Sequence, residues 1–166
     1  MFRIDIVSVQ PQMFRGFLES SIVARAVKKG LCEVNVVDLR EFGEGRWKKV
    51  DDKPYGGGPG MLMKCGPWFA AVESLGAAER TIMTSPAGRP FCQRDAEELS
   101  RCGHLVFMCG HYEGFDARIE TLATDLYSLG DFVMTGGELA AAAMADAIVR
   151  LLPGALGGGA FSNAVR

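Results

Sequence analysis

The sequence predicts an α/β domain with a mainly parallel sheet and helices on both faces. Three observations carry that expectation. Short apolar runs alternate with stretches whose apolar residues recur at helical spacing. The runs are continuously apolar rather than alternating, as strands buried on both faces are, and HLVFMC at 104–109 is the clearest. Finally, 166 residues suffice for one core and are short for two.

In chain order, 2–9 reads as a first strand. Residues 11–29 place Phe14, Phe17, Leu18, Ile22, Ala26 and Val27 near helical spacing, and end in Lys28-Lys29-Gly30, cations followed by a glycine stop. A second strand falls at 34–39. From 40 to 64 no period survives. Pro67 opens a helix carrying Trp68, Phe69, Val72 and Leu75. TIMTS at 81–85 is a third strand, 93–101 a short polar helix, and 104–109 a fourth, central strand. Residues 113–123 read as a helix through Phe115, Ile119 and Leu122, and 132–134 as a fifth strand. An alanine-rich helix at 138–152 is halted by Pro153.

The bulk properties narrow the function. A net charge of −2 does not announce nucleic acid, which would need a local basic patch. No run reaches the roughly 18 apolar residues of a membrane span. MFRIDIVSV carries an acid inside its apolar stretch and no cleavage pattern, so no signal peptide is expected. Five cysteines without a CxxC pair read as reduced thiols, and the expected location is cytoplasmic. The 21 glycines are near twice the usual share of roughly 7%, and they cluster at 56–60, 110–114, 130–137 and 154–159.

Each motif has two readings. PYGGGPG (54–60) lacks the GK[ST] of a phosphate loop, and GxGxxG is absent, which disfavours nucleoside triphosphates and dinucleotides. It is either a mobile surface loop or a flap whose bare backbone approaches a large flat partner. RWKKVDDK (46–53) interleaves cations with Trp47, suiting a nucleic-acid backbone and a stacked base, or is a solvated loop. The two Cys-Gly-His triplets, 102–104 and 109–111, suggest zinc, but an intervening strand separates them by roughly 23 Å, so no metal is expected. In CGHYEG (109–114), Gly110 admits a ligand that Tyr112 and Glu113 would contact; alternatively the segment is a tight turn with Glu113 and Asp116 near a helix N-terminus. In SLGDFVMTGGEL (128–139), Gly136 and Gly137 expose amides at a helix start. The thin helix behind them suits close core packing or a homodimer interface.

Taken together, VDDKPYGGGPGM (50–61), SPAGRPF (85–91), CGHYEGFDAR (109–118), SLGDFVMTGGELAA (128–141) and ADAIVRLLPGALG (145–157) resemble, in order and spacing, the bacterial tRNA (guanine-N1)-methyltransferases. The resemblance implies a SPOUT-type α/β trefoil knot, active as a homodimer, that binds S-adenosylmethionine and methylates N1 of the guanosine 3′ to the anticodon of tRNA. On the matching motifs, Thr84, Ser85, Pro86 and Gly88 would line one side of the cofactor. Gly110, Tyr112 and Glu113 would hold the ribose region. Leu129, Gly130, Asp131, Phe132, Val133 and Met134, with Gly136 and Gly137, would wrap the adenine. Tyr55, Gly56, Gly57, Gly58, Pro59 and Gly60 would form a substrate-side flap.

Guanine N1 carries a proton, so methyl transfer needs a base and a positive charge near O6. Arg150 and Glu113 match the family's arginine and acid for these tasks. The family's essential aspartate, in the linker after Leu-Gly, has no counterpart between Gly157 and Arg166. The expected organisation is therefore a cofactor-binding domain at 1–157 and a truncated linker at 158–166, without the C-terminal tRNA-binding domain. Such a chain should bind cofactor and turn over little tRNA. The alternative is a catalytically silent dimeric module that binds RNA or S-adenosylmethionine.

Overall fold

The computed structural model describes residues 1–111 and 114–157; Tyr112, Glu113 and the predicted linker at 158–166 lie outside the described residues. Strands β1 (Phe2–Ser8), β2 (Cys32–Asp38), β5 (Arg80–Pro90), β6 (His104–Cys109) and β7 (Asp125–Ser128) form a parallel sheet in the order β2-β1-β6-β5-β7. Two short antiparallel strands, β3 (Asp51–Asp52) and β4 (Leu62–Met63), stand apart from it. The parallel α/β expectation holds.

Alternation along the central strands divides the core in two. Ile4, Ile6, Leu105 and Phe107 face helices α1 (Arg15–Glu19), α2 (Ser21–Lys28), α4 (Gln93–Leu99) and α5 (Glu138–Val149). Val7, Val106 and Met108 face the opposite side, with Trp68 of α3 (Cys65–Ser74) and Ile119 of a 3-10 turn at Ala117–Leu122. The alanines of α5 let it sit close to the sheet, while Met144, Ile148 and Val149 are fully buried. Each of those three side chains contributes roughly 1.5–3 kcal/mol by leaving water.

Several expected elements shift. The helix at 11–29 is instead a 3-10 turn (Pro11–Phe14), α1 and α2, broken where Ser21 takes φ +55°. Serine competes for its own backbone and starts helices more readily than it continues them. The helix at 113–123 becomes the 3-10 turn Ala117–Leu122, capped by the Asp116 carboxylate, which accepts the Arg118 N–H. The fifth strand is β7, not 132–134, where Phe132 and Val133 stand 56% and 86% exposed. β7 has the backbone of β5 beside it, whereas Phe132–Met134 spends its apolar side chains on a cavity. β5 itself runs past the expected Ser85. Thr84 and Arg89 both pair with Tyr127, so 85–88 bulges out of the sheet. Gly88 closes that bulge, since a Cβ there would lie 2.7 Å from the Leu126 and Tyr127 backbone.

Candidate active site

In parallel sheets, ligands bind beyond the carboxyl ends of the strands, where the connecting loops converge. Here the segments leaving β5, β6 and β7 surround a cavity of about 280 Å³, the scale of a small-molecule site. Thr84, Ser85 and Pro86 come from the β5 bulge, and Gly110 and His111 from the end of β6. Leu129, Phe132, Val133 and Met134 follow β7, and Gly136 and Gly137 lead into α5.

Backbone approaches backbone closely at this point. The Gly137 N–H donates to the Gly110 carbonyl at 2.8 Å, and His111 bridges Gly136 in antiparallel fashion. A Cβ on Gly137 would lie 1.9 Å from Thr84 Oγ1 and 3.0 Å from the Gly110 nitrogen. Thr84 cannot swing away freely, because its hydroxyl donates to the Met108 carbonyl at 3.2 Å. The Ser128 hydroxyl donates to the Gly130 carbonyl at 2.9 Å and shapes the turn out of β7.

A polar layer stiffens this wall from behind. Arg89 Nη1 and Nη2 donate to both oxygens of Asp95, Nη2 also donates to the Tyr127 hydroxyl at 3.0 Å, and the guanidinium lies 4.6 Å from the Tyr127 ring centroid. The Cys92 N–H donates to Asp95 at 2.8 Å. Burial alone would raise the Asp95 carboxyl, but Arg89 and the Cys92 groups outweigh it and hold it at about 2. Burial, reinforced by the charges of Asp125 and Asp95, pushes the Tyr127 hydroxyl up, so it stays neutral.

At the root of α5, Glu138 is 1% exposed, and its Oε1 accepts the Ser8 hydroxyl at 2.7 Å. Its other oxygen stands 3.6 Å from His111 Nε2. Burial, and then the Glu138 charge, raises the Cys109 thiol well above its ordinary range, which makes it a poor nucleophile.

Ten of the sequence-predicted cofactor residues therefore line the cavity: Thr84, Ser85, Pro86, Gly110, Leu129, Phe132, Val133, Met134, Gly136 and Gly137. Others do not. Gly88 packs behind the wall, Gly130 lies under the Phe132 ring, and Asp131 is exposed. Tyr112 and Glu113, expected in contact with cofactor, fall outside the described residues. Arg150 is the C-cap of α5, roughly 18 Å along the helix from Glu138, and does not line this chain's cavity. Tyr55 and residues 56–60 are exposed and also stand off the cavity, but their root is joined to it. Met63 donates to Gly114 and accepts from Asp116, flanking Phe115, which lines the wall.

His111, Phe115, Tyr127, Ser128, Thr135 and Ala140 line the cavity without having been singled out for it. The Tyr127 signal was present in an aromatic-bearing run, DLYS, lost because the strand was placed further on. The Cys-Gly-His triplets are held apart by β6. His104 sits at its start, with Nε2 2.6 Å from the Asp5 carboxylate, and His111 lies past its end. Among the described residues no group of three potential ligands is placed to hold a metal, and no helix is long and apolar enough to cross a membrane.

A parallel α/β domain with a glycine-walled cavity at the carboxyl ends of its strands belongs to the class whose ligands bind at that edge of the sheet. The chain belongs to the tRNA (Guanine-1)-methyltransferase TrmD family, whose model matches residues 2–164. It is 49% identical over 160 residues to "tRNA (guanine-N(1)-)-methyltransferase" of Enterococcus faecalis, covering 93% of this chain and 65% of that protein. It is 50% identical over 158 residues to the protein of that name in Dictyoglomus turgidum, covering 95% of this chain and 64% of the relative. The chain thus spans just under two thirds of their length. Its structure superposes on "Crystal structure of tRNA (m1G37) methyltransferase from Aquifex aeolicus" with a TM-score of 0.86 at 39% identity, over 95% of this chain and 73% of that one.

Proposed function

We propose that the chain is the S-adenosylmethionine-binding part of a cytoplasmic tRNA (guanine-N1)-methyltransferase acting on the guanosine 3′ to the anticodon. The observation that carries this reading is the cradle of Gly110, Gly136 and Gly137, where an added Cβ would fall 1.9–2.6 Å from its neighbours. Bare peptide groups at these three glycines suit a flat purine held by peptide hydrogen bonds, and S-adenosylmethionine presents one. The apolar side chains of Leu129 and Met134 would cover its ring, and the bulge at Thr84–Pro86 would face its polar remainder. When bound, the sulfonium supplies an electrophilic methyl group.

This chain's residues have the other tasks. Guanine N1 must lose its proton, and charge gathering on O6 must be countered. Arg150 is the matched cation, and its distance from its own cavity means it would serve the cavity of a second copy. Exposed Phe132, Val133 and Leu139, at 56%, 86% and 58%, supply apolar surface for a homodimer. Glu113 is the matched acid. The crossing from β7 over β5 and β6 into α5 is the segment we assign to the trefoil knot.

Isothermal titration with S-adenosylmethionine should give saturable binding to a dimer, and single-turnover assays with unmodified tRNA should give little or no guanine-N1 methylation. Absence of cofactor binding by a folded dimer overturns the reading. A monomer in sedimentation at the same concentration removes the role given to Arg150.

A further inference from the structure

Residues 43–49 project from the domain as a closed hairpin. Glu44 and Lys49 exchange both backbone hydrogen bonds, at 2.9 and 3.0 Å, around a tip of Gly45, Arg46, Trp47 and Lys48. The Lys48 N–H donates to the Gly45 carbonyl at 3.2 Å, and Lys48 takes φ +46°, a left-handed conformation typical of tight hairpin loops. Gly43 permits the closure, because a Cβ there would fall 2.3 Å from the Lys48 carbonyl. A turn fixed this firmly holds its side chains in a defined direction.

What it holds is a tryptophan. Trp47 is 79% exposed, against 0% for Trp68, the other tryptophan of the chain. The Arg46 guanidinium lies 5.6 Å from the Trp47 ring centroid, and Lys48, Lys49 and Lys53, close by in sequence, are exposed. The acids nearby are Glu44 at the base of the hairpin, which is ion-paired with Lys64, and Asp51 and Asp52 of β3, where Asp52 accepts the Lys53 N–H at 2.8 Å. The hairpin is anchored through buried Val50, whose carbonyl accepts the Lys64 N–H at 2.8 Å. Lys64 follows Met63, the residue joined to the cavity wall at Phe115. Hairpin and glycine flap therefore hang from the same joint beside the cavity.

The geometry points to this hairpin as a stacking contact for an unpaired base of the RNA substrate. Trp47 supplies the π-face, and Arg46, Lys48 and Lys49 meet the flanking phosphates. An aromatic face ringed by cations matches a single strand, which alternates bases with phosphates; an apolar protein partner would leave the cations unpaired. The inference rests on the reading of RNA as substrate and adds where a loop base is gripped.

The test is a titration of the chain with an unmodified anticodon stem-loop RNA and with the whole tRNA transcript, followed by tryptophan emission and by anisotropy of labelled RNA. The expected result is quenching of the exposed tryptophan. Trp47→Ala should weaken RNA binding about five- to a hundredfold. Trp47→Phe should stay within about threefold of the parent, since a ring remains. Cofactor affinity and thermal midpoint should be unchanged in both, because the side chain is 79% exposed. RNA binding of normal strength by Trp47→Ala overturns the inference and leaves the proposed function standing. Absence of RNA binding by the parent chain overturns the RNA reading itself, and the inference with it.

Discussion

Two glycine-rich regions use the same residue for opposite physical reasons. In the flap, Gly56, Gly57 and Gly58 take φ of +83°, +80° and +132°, and an added Cβ would meet nothing within 4 Å. Around the cavity, Gly110, Gly136 and Gly137 have no such φ, yet a Cβ would fall 2.6, 2.4 and 1.9 Å from neighbouring atoms. The flap needs glycine for backbone freedom, whereas the cradle needs it for space. Substitutions should therefore fail differently: strain in an open loop is a local cost, and a clash in the cradle displaces the walls of the site.

The largest expected effect is Gly137→Ala. The new methyl has Thr84 on one side and the Gly110 backbone on another, so cofactor affinity should fall at least a hundredfold, read by calorimetry. The pair Gly137→Ala, Thr84→Ala removes the 1.9 Å contact and should recover part of that loss. Recovery to the full parent affinity would mean that the Gly110 backbone imposes nothing, and absence of any recovery would mean that Thr84 was not the obstacle.

Next in size is Arg89→Ala. It strips Asp95 of a two-pronged partner and Tyr127 of a stacked cation, and should lower the midpoint of denaturant titration. The same change alters acid sensitivity. Asp95 at about 2 lies below its ordinary 3.8, so its contribution is complete above about pH 4 and lost as pH falls toward 2. Without Arg89, one of the groups that hold the carboxyl down is gone, and the thermal midpoint should begin to fall at higher pH than in the parent. Parallel pH profiles for the two proteins would refute this.

Gly57→Ala is the mildest. Strain at φ +80° should cost about 1 kcal/mol, with cofactor affinity unchanged within twofold and any loss confined to RNA-dependent turnover. A clear loss of cofactor binding would erase the distinction between the two regions.

How much the sequence disclosed follows from what each signal depends on. β1 and β6 were legible because strands buried on both faces must be apolar throughout, and α5 because its alanines precede a proline. β7 was not, because Asp125-Leu-Tyr-Ser alternates only weakly, while the neighbouring Phe-Val-Met run is apolar for the sake of the cavity. The bulge at 85–88 left no local mark beyond its Pro and Gly; it exists because two residues of one strand share Tyr127 as partner. Ten cavity residues were legible through motifs, but His111 and Phe115 belong to the site only through pairings with Gly136 and Met63, far away in sequence. Arg150 was singled out from its motif, but helix length places it away from the cavity.

The hydrogen bond from Ser8 to Glu138 spans 130 residues. At about 5–20 residues per second, a ribosome needs roughly 6–26 s to deliver the second partner after the first. Throughout that interval the sheet face bearing Ile4 and Ile6, later joined by Phe107, lacks the helix that covers it. The cavity likewise lacks its last wall. Until residue 138 has been made, that apolar sheet face is uncovered and the cavity is incomplete.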